Sequence, residues 1–270
     1  MSDVSDMKMK QYGSAAAAGY DQGFAHVSSY FIPFLIRAGR VAAGQTVLDI
    51  ATGTGLAAEA ALAIIGRDGR LTAADVSPDM VEQAKGRLAN ASNATVVIED
   101  GQALSFRSDT FDTVLCSLGL MFFPDPLRGL SEFHRVLKGG GRAAVSVNTV
   151  PERSYNTRVH LAIARHVPSY VSSADRLFSF GDERRLRALF EQAGFADLEV
   201  TIHSQRFPHA SFEVYFEHIE RGWGSAGEAF VALPEETRRV VREEIRREVG
   251  NEGGPIEIEV EIMFGSGRKS

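Results

Sequence analysis

The chain runs to 270 residues, 44% hydrophobic and 24% charged, with a formal net charge of -6. That is ordinary globular composition with room for a sizeable core. The acidic balance supplies no broad positive field for a polyanion, which disfavours nucleic acid and leaves a small molecule as the expected partner.

In chain order, the opening stretch MSDVSDMKMK places acids where a secretory signal needs a basic start before an apolar run. No later apolar stretch approaches the roughly 18 residues of a membrane span. Cys116, the only cysteine, excludes an internal disulfide and any multi-cysteine metal site, and it fits a reducing compartment. A cytoplasmic protein without membrane contact is expected. Residues 1–40 carry Tyr20, Phe24, Tyr30, Phe31 and Phe34 ahead of the first strand.

From residue 46 short apolar strands alternate with helical patterns, the signature of a parallel sheet covered by helices on both faces. Strands are expected over 46–50, 70–74, 95–98, 113–117 and 142–147. The helix over 56–65 stops at Gly66, a residue suited to the left-handed C-terminal position. Ser77-Pro78-Asp79 supplies an N-cap, a first-turn proline and an acid facing the helix dipole, and so starts a helix that runs to about residue 91. A helix over 126–137 carries Leu127, Leu130, Phe133 and Leu137 on one stripe and ends before Gly139-Gly140-Gly141.

Beyond residue 148 the alternation breaks. Residues 148–180 mix helical patterns with Pro151, Pro168 and several aromatics and contain no obvious strand, so they are expected to be an inserted cap. Asp182 starts a helix with Leu186, Leu189 and Phe190 inward, Gly194 ends it, and a strand is expected over 197–202. A second insertion, 205–252, holds an aromatic segment and a charged helix over 234–249 whose charge run is simplest as a solvated face. In the last strand, PIEIEVEIMF, Ile256, Ile258, Val260 and Ile262 alternate with glutamates, so one face is buried and the other wet.

The stretch VLDIATGTGLAAEA carries the chemistry. Gly53-Thr-Gly55-Leu-Ala57-Ala58 matches the GxGxxA form of the dinucleotide fingerprint, and Asp75 follows Gly55 at the distance where an acid would hold a ribose. A nicotinamide-dependent oxidoreductase is therefore one expectation. A dinucleotide, however, sets its pyrophosphate on the helix N-terminus, and Asp49 just before the turn would repel it. The ends of three strands carry Asp49, Asp75 and Asp100, which suits a cationic, phosphate-free cofactor better. Asp75 can accept from two ribose hydroxyls, and Asp100 with Gly101 and Gln102 suits an adenine edge.

The blocks VLDIATGTG, LTAADVSPDMVEQA, IEDGQAL, FDTVLCSLGLMFFPDP and RVLKGGGRAAV resemble, in order and approximate spacing, the class I S-adenosylmethionine-dependent methyltransferases. They look most like the UbiE-like branch, which methylates quinones and many small metabolites. The resemblance is close over residues 40–150 and an outline beyond. It implies an α/β fold with a doubly wound, seven-stranded, mostly parallel Rossmann-like sheet, a helical N-terminal lid over 1–40 and cap insertions over 148–180 and 205–252 that form the acceptor pocket, all within one domain spanning 1–270. It also implies S-adenosylmethionine as cofactor. Asp49, Ala51 and Gly53 would line its methionine end; Asp75, Val76 and Met80 would take the ribose and one face of adenine. Asp100, Gly101 and Gln102 would take the adenine edge, with Ser117 beside the sulfonium and Tyr20 closing over the methionine end. Ala51 departs from the pattern, because the family has a glycine there. A second implied reading is a protein that binds S-adenosylmethionine on this fold without transferring its methyl group.

A sulfonium methyl is already activated, so no metal is expected, and no nucleophile motif is visible. If the acceptor needs a base, histidine is the natural type near neutral pH. The candidates are His26 in the lid and His160 and His166 in the first insertion, each equally readable as a surface or structural histidine. Cys116 reads as a small buried apolar residue. The aromatics of the insertions point to a mostly apolar acceptor pocket.

Overall fold

A single sheet organises the computed structural model, which describes residues 13–250 and 253–270. The opening MSDVSDMKMK, and with it the expectation of no secretory signal, lies outside the described residues. The strands are β1 (Thr46–Ile50), β2 (Arg70–Asp75), β3 (Ala94–Ile98), β4 (Phe111–Ser117), β5 (Leu137–Asn148), β6 (Ala196–His209) and β7 (Ile256–Arg268). Their order is β3-β2-β1-β4-β5-β7-β6. The first five are parallel, whereas β7 runs antiparallel to β5 and β6 antiparallel to β7. The order reverses between β1 and β4, and the open crevice at the C-terminal ends of parallel strands around such a reversal is where doubly wound folds hold ligands.

The N-terminal segment forms α1 (Ser14–Ala18) and α2 (Tyr20–Ala38); α3 (Leu56–Ile65), α4 (Pro78–Leu88) and α5 (Pro126–Val136) are the crossover helices. In α4 the Ser77 hydroxyl accepts from the Met80 N–H with Pro78 in the first turn, as the sequence leads one to expect. The first insertion folds into α6 (Thr157–His166) and α7 (Val171–Arg176), with 3-10 turns beside them. After α8 (Glu183–Gln192) and β6, the second contributes α9 (Phe212–Glu220), α10 (Gly224–Val231) and α11 (Glu235–Glu248).

Several boundaries differ from expectation; β4 starts two residues early at Phe111 and α4 ends at Leu88. Leu137 belongs to β5, paired with Phe111, and the glycine run lies inside the strand where the β4–β5 register shifts. β6 continues past residue 202 to His209, paired along its whole upper length with β7. Pro208 is tolerated because β6 is the sheet edge, where a missing N–H breaks no ladder. The second insertion therefore starts beyond His209. The charge run of α11 is more than a solvated face, since Arg165 of α6 pairs with Glu244 and Glu248, and Arg246 pairs with Glu213 of α9.

One core cluster, with α2, α3, α6, α9 and β7, joins the N-terminal helices to the insertions through Phe31, Val159, Phe212 and Ile258. The long β7, paired with β6, carries Val260 and Ile262, both buried, to the floor beneath these helices.

Candidate functional site

After Ile50 the backbone turns through Ala51 at φ 54°, Gly53 at φ 56° and Gly55 at φ 87° before α3 begins. Glycine adopts such angles freely, whereas an alanine there costs about 1–2 kcal/mol. The Ala51 position is legible from across the crevice. A Cβ built on Gly119 would fall 2.5 Å from the Ala51 Cβ, so the missing side chain at Gly119 makes the space that the Ala51 methyl fills. Beside it Leu118 also holds a left-handed angle, φ 52°. Strained residues facing each other across two strand ends are a recurrent feature of ligand sites.

The three acids take different stations. Asp75 lines the crevice, and its Oδ2 accepts from the Gly53 N–H at 2.9 Å while Oδ1 accepts from the Ser77 N–H at 2.9 Å. Burial raises its pKa, against the pull of these backbone bonds. Asp49 is fully buried behind the turn and is not on the crevice wall. Its Oδ2 accepts from the Thr52 hydroxyl at 2.6 Å, and its Oδ1 makes no hydrogen bond. Burial pushes Asp49 up to about 7, with the nearby Asp75 charge adding to the rise. Asp100 folds onto its own chain, accepting from the Gln102 N–H at 2.8 Å, and Gln102 in turn accepts from the Asp125 N–H at the start of α5. Gly101 packs so closely on Phe123 and Ile50 that only glycine fits. Asp100, Gly101 and Gln102 sit at the end of β3, off the walls of both clefts described next.

The first cleft, about 480 Å³ including the part open to solvent, is walled by Ala51, Gly53, Asp75, Val76, Met80 and Ser117, with Tyr20 of α2 above. The second, about 710 Å³ on the same measure, lies between the N-terminal helices and the inserted ones. Tyr20, Leu118 and Phe122 belong to both, so the two clefts share a wall. The start of α2 is latched over the glycine turn, where the Thr54 hydroxyl donates to Asp21 at 2.6 Å, and Arg87 of α4 pairs with Asp21 and donates from Nε to the Thr54 carbonyl at 2.8 Å.

Of the three histidine candidates, only His160 lines a cleft. Its Nδ1 meets the Tyr170 hydroxyl at 2.5 Å and its Nε2 the Ser225 hydroxyl at 3.1 Å. His166 is on the outside, paired with Glu244 at 2.6 Å. His26 is exposed behind the cleft wall, with Nε2 3.3 Å from the Tyr155 hydroxyl. Sequence reasoning missed Leu118, Phe122, Asn156 and Ser225, which line the second cleft. The SLGL run after β4 was the available signal for Leu118, but nothing local marks the others.

The chain from 47 to 141 matches a family described as a methyltransferase domain. The ubiquinone/menaquinone biosynthesis C-methyltransferase UbiE of Klebsiella pneumoniae is 30% identical over 181 residues, covering 62% of this chain and 72% of that protein. Among solved structures, a protein from Bacillus halodurans has a TM-score of 0.60 at 20% identity, covering 88% of this chain and 98% of its own. The Haemonchus contortus phosphoethanolamine N-methyltransferase 2, in complex with S-adenosyl-L-methionine, has a TM-score of 0.60 at 18% identity, covering 97% of this chain and 58% of that one. These two likenesses establish the fold. A doubly wound sheet with a glycine turn and one acid, Asp75, on the crevice wall at its strand ends has the fold of an α/β protein that binds a nucleotide-like cofactor. The chain belongs to the class I S-adenosylmethionine-dependent methyltransferases, in the UbiE-like branch. It is an enzyme with S-adenosylmethionine as cofactor, and the nicotinamide reading of the glycine turn falls away.

The residues present fit that cofactor. Among the described residues, the first cleft's wall has Asp75 as its one acid and no lysine or arginine, a poor setting for a pyrophosphate and a good one for a cation. A Cβ at Gly53 would meet nothing within 4 Å, so the turn leaves open space at the cleft floor.

Proposed function

We propose that this enzyme methylates an O, N or C atom of a small, uncharged, partly apolar metabolite, held in the second cleft against the shared wall of Tyr20, Leu118 and Phe122. The observation that carries this is the composition of that cleft. Among the described residues its wall has Phe24, Val27, Met121, Leu177, Val260 and Ile262 and not one aspartate, glutamate, lysine or arginine. A charged acceptor would enter without a counter-charge, at a desolvation cost of several kcal/mol. The segments 13–40, 148–180 and 210–250 act as lid and caps over that site, within one domain.

In this proposal Ala51 and Gly53 hold the methionine end of the cofactor with Asp49 bracing the turn from behind through Thr52, Asp75 takes the ribose, and Val76 and Met80 one face of adenine. Asp100, Gly101 and Gln102 shape the adenine edge, Ser117 stands beside the sulfonium, and Tyr20 closes the lid. When bound, S-adenosylmethionine supplies an activated methyl group. The chain's own work is alignment, exclusion of water by α1 and α2, and acceptance of a proton from the acceptor. His160 is the group suited to that last task, since Tyr170 fixes its ring at Nδ1 and Nε2 faces Ser225 at the cleft wall. The lone, buried Cys116 supports a cytoplasmic setting.

The test is radiolabel transfer from methyl-labelled S-adenosylmethionine to a metabolite extract split by solvent partition at neutral pH. The label is expected in the neutral, organic-soluble fraction. Label confined to the ionic, water-soluble fraction sinks the proposal.

A further inference from the structure

Almost every polar side chain on the wall of the second cleft already has a partner inside the protein. Asn148 donates to the Thr157 hydroxyl at 3.2 Å and to the Leu177 carbonyl at 3.4 Å. The Tyr155 hydroxyl lies between the Nε2 atoms of His26 and His209, at 3.3 and 3.1 Å. His160 engages Ser225 and Tyr170, and Ser28 bonds the Tyr20 hydroxyl. The exception is Asn156, 7% exposed, whose Nδ2 has no hydrogen-bond partner. Leaving such a donor buried and unmet costs about 1–3 kcal/mol, so a protein retains one where a ligand completes it.

The amide is also held in one orientation. Its Oδ1 sits 2.8 Å from His218 Nε2. Burial, followed by the neighbouring His209 and His26, pushes His218 down to about 3, so its ring is neutral. A carboxamide oxygen only accepts, hence Nε2 carries the proton and donates it to Oδ1. His218 is itself fixed, stacked on Tyr155 with ring centroids 5.6 Å apart and interplanar angle 9°, and edge-on to Phe24. The side chain of Asn156 does not cap α6, whose first residue it precedes. Its oxygen thus serves His218 rather than the helix, and its N–H2 group is left without a partner.

We infer that Asn156, oriented by His218, is the specificity-determining donor of the acceptor cleft, and that the metabolite is a neutral carbonyl-bearing compound whose oxygen accepts from Asn156 Nδ2. The inference rests on the second cleft being the acceptor site. An oxygen acceptor satisfies the orphaned donor, an uncharged body matches a wall without ions, and the one fixed N–H2 sets how the molecule lies relative to the shared wall. His218 acts as a positioning residue, through Asn156.

Two probes of like shape test it. 1-Tetralone and tetralin are both neutral bicyclic compounds and differ by one carbonyl oxygen. Their affinities are measured by isothermal titration with S-adenosylhomocysteine saturating. In N156L and in N156D, which keeps an oxygen for His218, the ratio of tetralone to tetralin affinity is expected to fall about tenfold from that of the unaltered enzyme, with tetralin affinity nearly unchanged. In H218F the same ratio falls by a smaller factor, because the amide is no longer held. S-adenosylhomocysteine affinity equal to that of the unaltered enzyme shows that each variant is folded, as Asn156 is not in the first cleft. A ratio unchanged by both substitutions at 156 overturns the inference and leaves the acceptor cleft standing. Failure of both probes to bind the unaltered enzyme overturns the cleft assignment as well.

Discussion

Asp49 is a buried acid with a raised pKa, and that makes its replacement a quantitative test. In the unfolded chain its carboxyl titrates at the ordinary value of 3.8; in the fold, burial, reinforced by Asp75, holds it at about 7. Below 3.8 both states are protonated and the group contributes nothing to the pH dependence. Between 3.8 and 7 the unfolded chain ionises and the folded protein does not, so each pH unit costs about 1.4 kcal/mol of stability. Above 7 the loss stays constant. From pH 5 to pH 7 the cost accumulates to about 3 kcal/mol. Asp49→Asn keeps an oxygen for the Thr52 hydroxyl, now 2.6 Å from Oδ2, and removes the titration. The assay is urea unfolding of both proteins at pH 5, 6, 7 and 8, without ligand. Subtracting one curve from the other cancels every other titrating group, and the variant's stability relative to the parent should rise by about 3 kcal/mol from pH 5 to 8. Parallel curves would refute the reasoning, because they would mean that Asp49 is already ionised at pH 5.

Three further outcomes follow. Gly119→Ala places a methyl 2.5 Å from the Ala51 Cβ and should destabilise the enzyme by about 1–3 kcal/mol. Adding Ala51→Gly should recover much of that loss, so thermal unfolding of the double variant that shows simple additivity would remove the proposed exchange of side chains across the crevice. Asp21→Ala frees Thr54 and Arg87 from the lid and should weaken S-adenosylmethionine binding several-fold with a stability change of roughly 0–1 kcal/mol, given that Asp21 is partly exposed; calorimetric titration giving an unchanged affinity argues against the latch. His160→Gln should lower kcat about a hundredfold or more on the neutral extract fraction while leaving KM near the parent value. A variant that keeps the parent's kcat rules His160 out as the proton acceptor.

The cofactor half of the enzyme was legible because its signals are local. The Thr46–Ile50 strand and the Leu56–Ile65 helix are bounded by a glycine turn and Gly66, and the cap at Ser77 by its own hydroxyl. The run of β6 to His209 was hidden because Pro208 argues against a strand, and only its edge position in the sheet, set by distant residues, makes the proline harmless. The acceptor cleft was hidden for a stronger reason. Asn156 meets His218 across 62 residues, and His160 meets Ser225 across 65. Nothing local to residue 156 distinguishes its amide in sequence; only the fold shows that its side chain makes no capping bond to α6 and turns to His218 instead.

The discrimination between the two cofactors that share a glycine turn also changes its footing. In the sequence Asp49 looks like the group that would repel a pyrophosphate. In the fold it lies behind the turn, with a pKa near neutrality, so at and below pH 7 much of its charge is absent and its force on a distant phosphate is small. The acid on the cleft wall is Asp75, and both of its oxygens are held by backbone N–H groups from the turn and from the start of α4. Arg87, whose Nε reaches the turn at the Thr54 carbonyl, is committed to Asp21, Glu59 and that carbonyl. With Arg87 so engaged and no lysine or arginine on the first cleft's wall among the described residues, a pyrophosphate would meet no counter-charge there, which predicts that isothermal titration of NADH into Asp75→Ala still shows no binding.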